Sequence, residues 1–381
     1  MSKRIIIVGS GTRFVSGISY YTSLLATTLA HDHEVSMIHM RNLIPRIFYP
    51  GRARVGAAIM AEELQPNLPT FDGINWTLLP SLLRALRFAK RANPELIILQ
   101  WWSASALPAY LALARFARRR GIPIVIEFHE TLDTAEANLP LIGGVIRRGL
   151  SRLIVQASAF VVHSHFDFEE MTSILKLPEH QTVIIPLGAF PMAQSETPAP
   201  PVDPTTCTIL FFGTIRPYKG LEFLVEAFDL LPRNEVKWKL VIVGETWEGW
   251  TTPFDRINES ANRSSIEVVN RYVIDSEIPA YFTAASLVAL PYLRSSASGP
   301  LHLAMGAGLP VVVSDVGGLA EAAHGYRGAI FVEPGSPQHL ADGLVAALDL
   351  VGEHFVDPRS WDETLVRYNG VINQIFNNTH S

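Results

Sequence analysis

Arg4-Ile5-Ile6-Ile7-Val8-Gly9 is an apolar run of strand length that stops on glycine. A sheet with one wet face alternates apolar and polar residues. A run that is apolar at every position belongs to a parallel sheet covered on both faces. The loop Gly9 to Gly17 follows. After it comes a helix from about Ile18 to Ala30, whose Ile18, Tyr21, Leu24, Leu25 and Leu29 recur at helical spacing. The same alternation continues outward. Strands are predicted at Glu34–His39, Leu96–Gln100, Ile124–Phe128, Phe160–His163 and Val183–Pro186. Helical patterns over Leu82–Arg91, Ala109–Arg120 and Ile142–Ala159 separate them. Alternating strand and helix predicts an α/β doubly wound parallel sheet.

The stretch 191–206 breaks this rhythm with Pro191, Pro198, Pro200, Pro201 and Pro204, and reads as a semi-rigid linker. A second alternation then begins. Its strands are Thr208–Phe212, Lys239–Val243, Ile266–Val269, Leu287–Leu290, Val311–Ser314 and Ala329–Val332, with a helix over about Leu221–Leu231. The last segment, Trp361 to Phe376, is an amphipathic helix that either closes the second domain or crosses back onto the first. The expected organisation is therefore a Rossmann-like domain over 1–190, the linker over 191–206, a second Rossmann-like domain over 207–355, and a terminal segment over 356–381. Two such sheets in tandem are expected to face each other across a cleft, with ligands at the carboxyl ends of the strands.

Composition narrows the function classes. A length of 381 residues exceeds one ordinary domain. With 48% hydrophobic and 18% charged residues the chain is core-rich and not disordered. The net charge of −5 gives no reason to expect nucleic acid as a partner. Cys207, the only cysteine, rules out an internal disulfide and a cysteine-based metal cage, so a cytoplasmic setting is expected. The apolar runs are far shorter than a membrane span, and Gly9, Ser10 and Gly11 end the first of them too early for a secretory segment.

Two segments of the second half suit a diphosphate. In Ser298-Gly299-Pro300-Leu301-His302-Leu303-Ala304-Met305-Gly306-Ala307-Gly308, Pro300 fits a first helical position, with Ser298 or Gly299 as the N-cap. The amides of Leu301 and His302 are then expected to point free at a positive helix end, and Gly299 lets an anion approach the backbone. The plain alternative is an ordinary capped helix. In Phe211-Phe212-Gly213-Thr214-Ile215-Arg216-Pro217-Tyr218-Lys219-Gly220 a strand ends at Gly213, and two cations follow in a turn before a helix. Arg216 offers a planar fork and Lys219 a point charge. The alternative here is a pair of solvated loop cations.

The first half contributes His129, just after a strand and close to Glu127 and Glu130. Strand alternation puts Glu127 and His129 on one side and Glu130 opposite. A histidine there can hydrogen-bond a sugar hydroxyl, or it is a loop histidine with no role. Gly9, Gly11 and Gly17 miss the G-x-G-x-x-G spacing, and Met40-Arg41-Asn42 supplies no acid for a ribose, so a nicotinamide enzyme is not expected. Gly17 either lets the loop approach a ligand or is a turn glycine before a helix.

Taken in order, these motifs resemble the family 4 retaining glycosyltransferases of the GT-B fold. The resemblance covers most of the chain and is strongest from Thr208 to Glu321. The segment Phe212–Gly220 is similar to the family's phosphate-binding loop. The strand Leu240–Val243 with Gly244 and Glu245 resembles the turn beside the nucleotide, and Val311–Glu321 resembles the segment after the diphosphate helix. The family carries two glutamates separated by seven residues around that helix, one associated with the donor sugar and one with the ribose. Ser295 and Leu303 occupy those positions here, as in a subgroup with a Ser-Gly step. Arg216 lies two positions after the family's usual arginine, where Thr214 stands.

The resemblance implies transfer of a hexose from a GDP- or UDP-linked sugar with retention and without a metal or other cofactor. It assigns the donor to the second domain and a glycan, lipid-linked or small-molecule acceptor to the first. It also assigns His129 and Gly17 to the donor-sugar side. A sugar-nucleotide epimerase and a catalytically silent nucleotide-sugar-binding protein are the competing readings. Three basic runs stand out in the first half: Arg84, Arg87, Lys90 and Arg91; Arg115, Arg118, Arg119 and Arg120; Arg147, Arg148 and Arg152. They are either solvated helix faces or a weak peripheral contact with anionic lipid at the inner membrane face.

Overall fold

The computed structural model describes residues 1–11, 17–42, 67–75, 79–129, 140–191, 205–246, 250–295 and 297–378. The chain forms two compact units. Unit 1 is Met1–Gly188 with Trp361–Ser381, and unit 2 is Ala189–Ser360. Most of the proline-rich stretch (192–204), the loop 12–16 and Glu130 lie outside the described residues.

Unit 1 is built on a seven-stranded sheet in the order β3-β2-β1-β4-β5-β6-β7. The strands are β1 (Arg4–Ser10), β2 (Glu34–Asn42), β3 (Thr70–Asn75), β4 (Leu96–Trp101), β5 (Ile124–Phe128), β6 (Ala159–Val162) and β7 (Thr182–Ile184). Every pair is parallel. The connecting helices are α1 (Gly17–Leu29), α2 (Leu79–Ala92), α3 (Leu107–Arg118), α4 (Pro140–Ile154) and α5 (His165–Ile174). The opening apolar run is now explained. Ile6 and Val8 join the core beneath α2, α3 and α4, while Ile5 and Ile7 are just as buried on the opposite face. The edge strand β3, Thr70-Phe71-Asp72-Gly73-Ile74-Asn75, was not predicted. It has one buried residue, Ile74, and so carries no apolar run.

Unit 2 is a six-stranded sheet in the order β10-β9-β8-β11-β12-β13, again parallel throughout. The strands are β8 (Thr206–Phe212), β9 (Lys237–Val243), β10 (Ile266–Val269), β11 (Leu287–Leu290), β12 (Val311–Ser314) and β13 (Ala329–Val332). Its helices are α6 (Leu221–Leu230), α7 (Thr252–Glu259), α8 (Ile278–Ala284), α9 (Gly299–Gly306), α10 (Gly317–Ala323) and α11 (Pro337–Ala346). The last helix, α12 (Trp361–Asn378), packs on α1 in unit 1.

Strand order fixes where ligands approach. In unit 2, β8 has β9 on one side and β11 on the other, so the connections diverge there. The loops after β8 and β11 flank this switch point, where open α/β sheets take ligands. Those loops contain Gly213–Gly220 and Pro291–Ser298. The backbone is tight at this edge. Gly213 and Gly244 have φ of 112° and 148°, and a Cβ on Gly244 would lie 2.0 Å from the Gly213 carbonyl oxygen. Gly244→Ala is therefore expected to destabilise unit 2 by about 2 kcal/mol or more, read from the denaturant midpoint. Gly370→Ala, on an open helical position, serves as the unaffected control.

Candidate functional site

In unit 2 the loop after β8 is pinned at several points. The Gly213 amide donates to the Val243 carbonyl at 2.9 Å, and the Ile215 amide donates to the Glu245 carbonyl at 2.9 Å. Pro217–Lys219 form a single 3-10 turn, and Gly220 (φ 63°) starts α6. A Cβ on Gly220 would meet the Pro291 carbonyl oxygen at 2.1 Å, and the Leu293 amide donates to the Tyr218 carbonyl at 2.7 Å. The loops after β8 and β11 are thus one packed unit.

That packing brings the two predicted segments together. The point where a Cβ would stand on Gly213 is 2.9 Å from Lys219 Nζ and 3.1 Å from Pro300 Cγ. Only a residue without a side chain leaves room for the ammonium and the start of α9 to converge. Lys219 is 7% exposed, and its Nζ lies 5.2 Å from the centre of the Tyr292 ring, within reach of a cation–π attraction. The Tyr292 hydroxyl is 3.4 Å from Ser298 Oγ, so one buried tyrosine touches both segments. Burial pushes that phenol well up, so it stays neutral, and its oxygen accepts from Ser298 Oγ. Arg216 stands half-buried ahead of the turn, in extended backbone.

The start of α9 corrects one expectation. Ser298 is the N-cap, but the amides of Leu301 and His302 do not point free. Leu301 donates to Ser298 Oγ at 3.3 Å and His302 to the Ser298 carbonyl at 3.2 Å. The capping hydroxyl and the first helical turn absorb them. Pro300 has no amide proton, so Gly299 supplies the free N–H at this helix end, with open space where a Cβ would point. The His302 ring is 1% exposed and packs on Phe190 at 5.1 Å, and Leu301 is a core residue. Glu245 contributes its carbonyl to the loop. Ser295 Oγ donates to the Ala297 carbonyl at 3.1 Å and its own carbonyl accepts from the Gly318 amide, while Leu303 packs against the core.

Unit 1 carries a second polar cluster, at the carboxyl ends of β5 and β6. Glu127 is fully buried. Its Oε1 accepts from the Tyr21 hydroxyl at 2.5 Å and from the Tyr368 hydroxyl of α12, and its Oε2 accepts from Gln100 Nε2 at 3.0 Å. Three donors suit a carboxylate anion. Burial, and then the neighbouring Glu127, hold both phenols well above their ordinary range, so they keep their protons. His129 lies on the same side as Glu127, as alternation requires, with Nε2 3.8 Å from Oε2. Its Nδ1 is 3.1 Å from His163 Nε2, and His163 Nδ1 is 3.0 Å from the Ile185 carbonyl oxygen.

The partners assign the tautomers. A carbonyl only accepts, so His163 carries its proton on Nδ1. Its Nε2 then accepts from His129 Nδ1–H. His129 Nε2 is then a bare lone pair, buried and without a hydrogen-bond partner. Glu127, His129 and His163 place three ligand-type atoms within 4.8 Å of one another. The carboxylate already accepts from two hydroxyls and an amide, and the two rings bond each other, while His129 Nε2 keeps its lone pair. Gly17 is the first residue of α1.

Two family models match the chain, glycosyl transferase 4-like domain over residues 16–188 and glycosyl transferases group 1 over residues 206–349. The chain carries one match in each unit and has the GT-B fold. Among curated relatives, the D-inositol 3-phosphate glycosyltransferase of Corynebacterium glutamicum is 28% identical over 189 residues, 45% of this chain and 44% of that protein. The chain matches 36% to 44% of the length of the first such relatives. Solved structures share the whole fold. Anabaena HepE in complex with UDP and glucose aligns with a TM-score of 0.65 at 16% identity, over 97% of this chain and 99% of that one. The catalytic domain of Arabidopsis thaliana starch synthase IV, bound to ADP and acarbose, aligns at 0.69 and 11%, over 98% and 99%.

In these two clusters, sequence reasoning missed Tyr292, His163, Tyr21 and Tyr368. For His163 a signal existed. Glu127 pairs with Val161 across β5 and β6, so in-register parallel strands put residue 163 beside residue 129. Burial first, and His163 second, hold the His129 imidazole well below its ordinary value of 6.5. The unfolded chain takes up a proton near 6.5 and the folded chain does not. Stability is therefore complete above that value and falls as pH drops below it. Urea unfolding between pH 7.5 and 5.5 is expected to lose stability at up to about 1.4 kcal/mol per pH unit for this group. His129→Gln should flatten the slope by that amount.

Proposed function

We propose that the chain moves a hexose from a nucleotide diphosphate sugar to a glycan, lipid-linked or small-molecule acceptor, with retention of configuration and without a metal. The observation that carries this reading is the convergence of Lys219 Nζ and the start of α9 on Gly213 at the switch point of unit 2. A cation, a helix N-terminus and side-chain-free backbone form a cradle for a diphosphate. The solved neighbours in complex with UDP or ADP support a nucleotide donor.

The chemistry then follows from charge. As the bond from the anomeric carbon to the diphosphate oxygen breaks, that oxygen gains negative charge. Lys219, Arg216 and the Gly299 amide stabilise it more strongly than the ground state. In unit 1, His129 Nε2 offers a lone pair that accepts a hydrogen bond from a sugar hydroxyl, a positioning contact that does not attack carbon. Tyr292 holds Lys219 and Ser298 in place. With Ser295 and Leu303 where the family's paired glutamates stand, sugar and ribose contacts rest on other groups, and both GDP and UDP donors are open.

A thermal-shift screen of GDP- and UDP-linked sugars identifies the donor. With that donor, Lys219→Ala combined with Arg216→Ala should weaken donor affinity at least about tenfold and slow transfer about a hundredfold or more. Unchanged affinity and rate would sink the assignment. Conversion of donor to an epimer without acceptor would favour the epimerase reading instead.

A further inference from the structure

Three neighbouring helices of unit 1 carry charges of a single sign. α2, α3 and α4 lie side by side on one side of the sheet. From Leu79 to Ala92, from Leu107 to Arg120 and from Pro140 to Ile154 there is no aspartate or glutamate, and the eleven arginines and lysines in these stretches are all exposed. The next helix on that face, α5, carries Asp167, Glu169 and Glu170. Solvated surfaces ordinarily mix signs, and this chain as a whole is at −5. The helix macrodipole favours cations in a last turn. It accounts for Lys90 and Arg91 but not for Arg84 or Arg87, nor for Arg147 and Arg148 in the middle of α4.

Apolar side chains stand out on the same face. Leu79 is 66% exposed, Leu83 46% and Val145 70%. Leu79, Leu83, Arg87 and Lys90 form one stripe of α2, and Val145, Arg148 and Arg152 one stripe of α4. All strands are parallel, so each helix starts at the carboxyl edge of the sheet. The apolar tips therefore lie toward that edge, the edge of His129, and most of the cations lie farther along the helices.

We propose that this three-helix face docks on an anionic lipid surface. Leucine and valine tips sink beneath the headgroups, while arginine and lysine meet the phosphates. A nucleic acid would satisfy the cations and leave the apolar tips exposed, so lipid fits both halves of the pattern. Among the described residues no helix is long and apolar enough to cross a membrane, and the contact is superficial. The proposal is independent of donor identity.

The test is co-sedimentation of the full chain with phosphatidylcholine vesicles, with and without phosphatidylglycerol. Binding is expected only to the anionic vesicles and should weaken as salt is raised. Each cation near the surface contributes roughly fivefold to partitioning. Combining Arg84→Gln, Arg87→Gln, Lys90→Gln and Arg91→Gln should therefore reduce binding about a hundredfold or more. Leu79→Ser with Leu83→Ser should remove the part that survives high salt. Circular dichroism melting checks that the variants fold, and Arg115→Gln with Arg119→Gln provides a second set should the first fail. Absence of binding to anionic vesicles, or wild-type binding by folded charge variants, overturns the proposal. Preference for an RNA homopolymer over vesicles overturns it as well.

Discussion

The close approach of two backbone segments at Gly213 and Gly244 is the constraint on which unit 2 depends. Neighbouring parallel strands end there with so little space that a methyl group on either glycine collides with carbonyl, ammonium or ring atoms. The result is a loop whose course is set by its neighbours. Glu245 holds Ile215, Pro291 crowds Gly220, and Leu293 binds Tyr218. Lys219 is delivered by this scaffold to the start of α9. A long flexible side chain loses much of its rotamer freedom there before any ligand arrives, and that is the pre-organisation a charge-stabilising site needs.

Unit 1 is organised by a buried carboxylate. Glu127 draws Tyr21 from α1, Gln100 from β4 and Tyr368 from α12 onto one pair of oxygens. Leaving a buried acceptor unsatisfied is costly, so each contact also orders the segment that supplies it. The terminal helix is tied to the sheet through its side chain as well as by packing. The histidine pair beside this network is polarised in one direction, from the Ile185 carbonyl to the buried lone pair of His129 Nε2.

Much of the fold was legible because burial on two faces leaves an unmistakable mark. Strands such as Ile5–Val8 and Leu96–Leu99 are apolar at every position, and their order alternates with helices. The edge strand β3 was not legible, because an edge needs few buried residues. In the site, Gly213, Lys219, Ser298 and Pro300 were found from loop chemistry at strand ends. Their convergence was not, since it depends on β8 and β11 being neighbours despite 74 residues between the end of one and the start of the other. The amides of Leu301 and His302 were misjudged for a local reason, since a serine cap takes up donors that a bare helix start would leave open. Tyr292 and Tyr368 were invisible because a buried tyrosine in a core-rich chain gives no hint of which polar group its hydroxyl meets.

A structure of the protein with a bound nucleoside diphosphate tests the central claim most directly. The account predicts the terminal phosphate within hydrogen-bond distance of Lys219 Nζ and of the Gly299 amide, at the carboxyl edge of β8. A nucleotide bound with its phosphates elsewhere, and with Lys219 still turned to Tyr292 and out of contact with them, would contradict it.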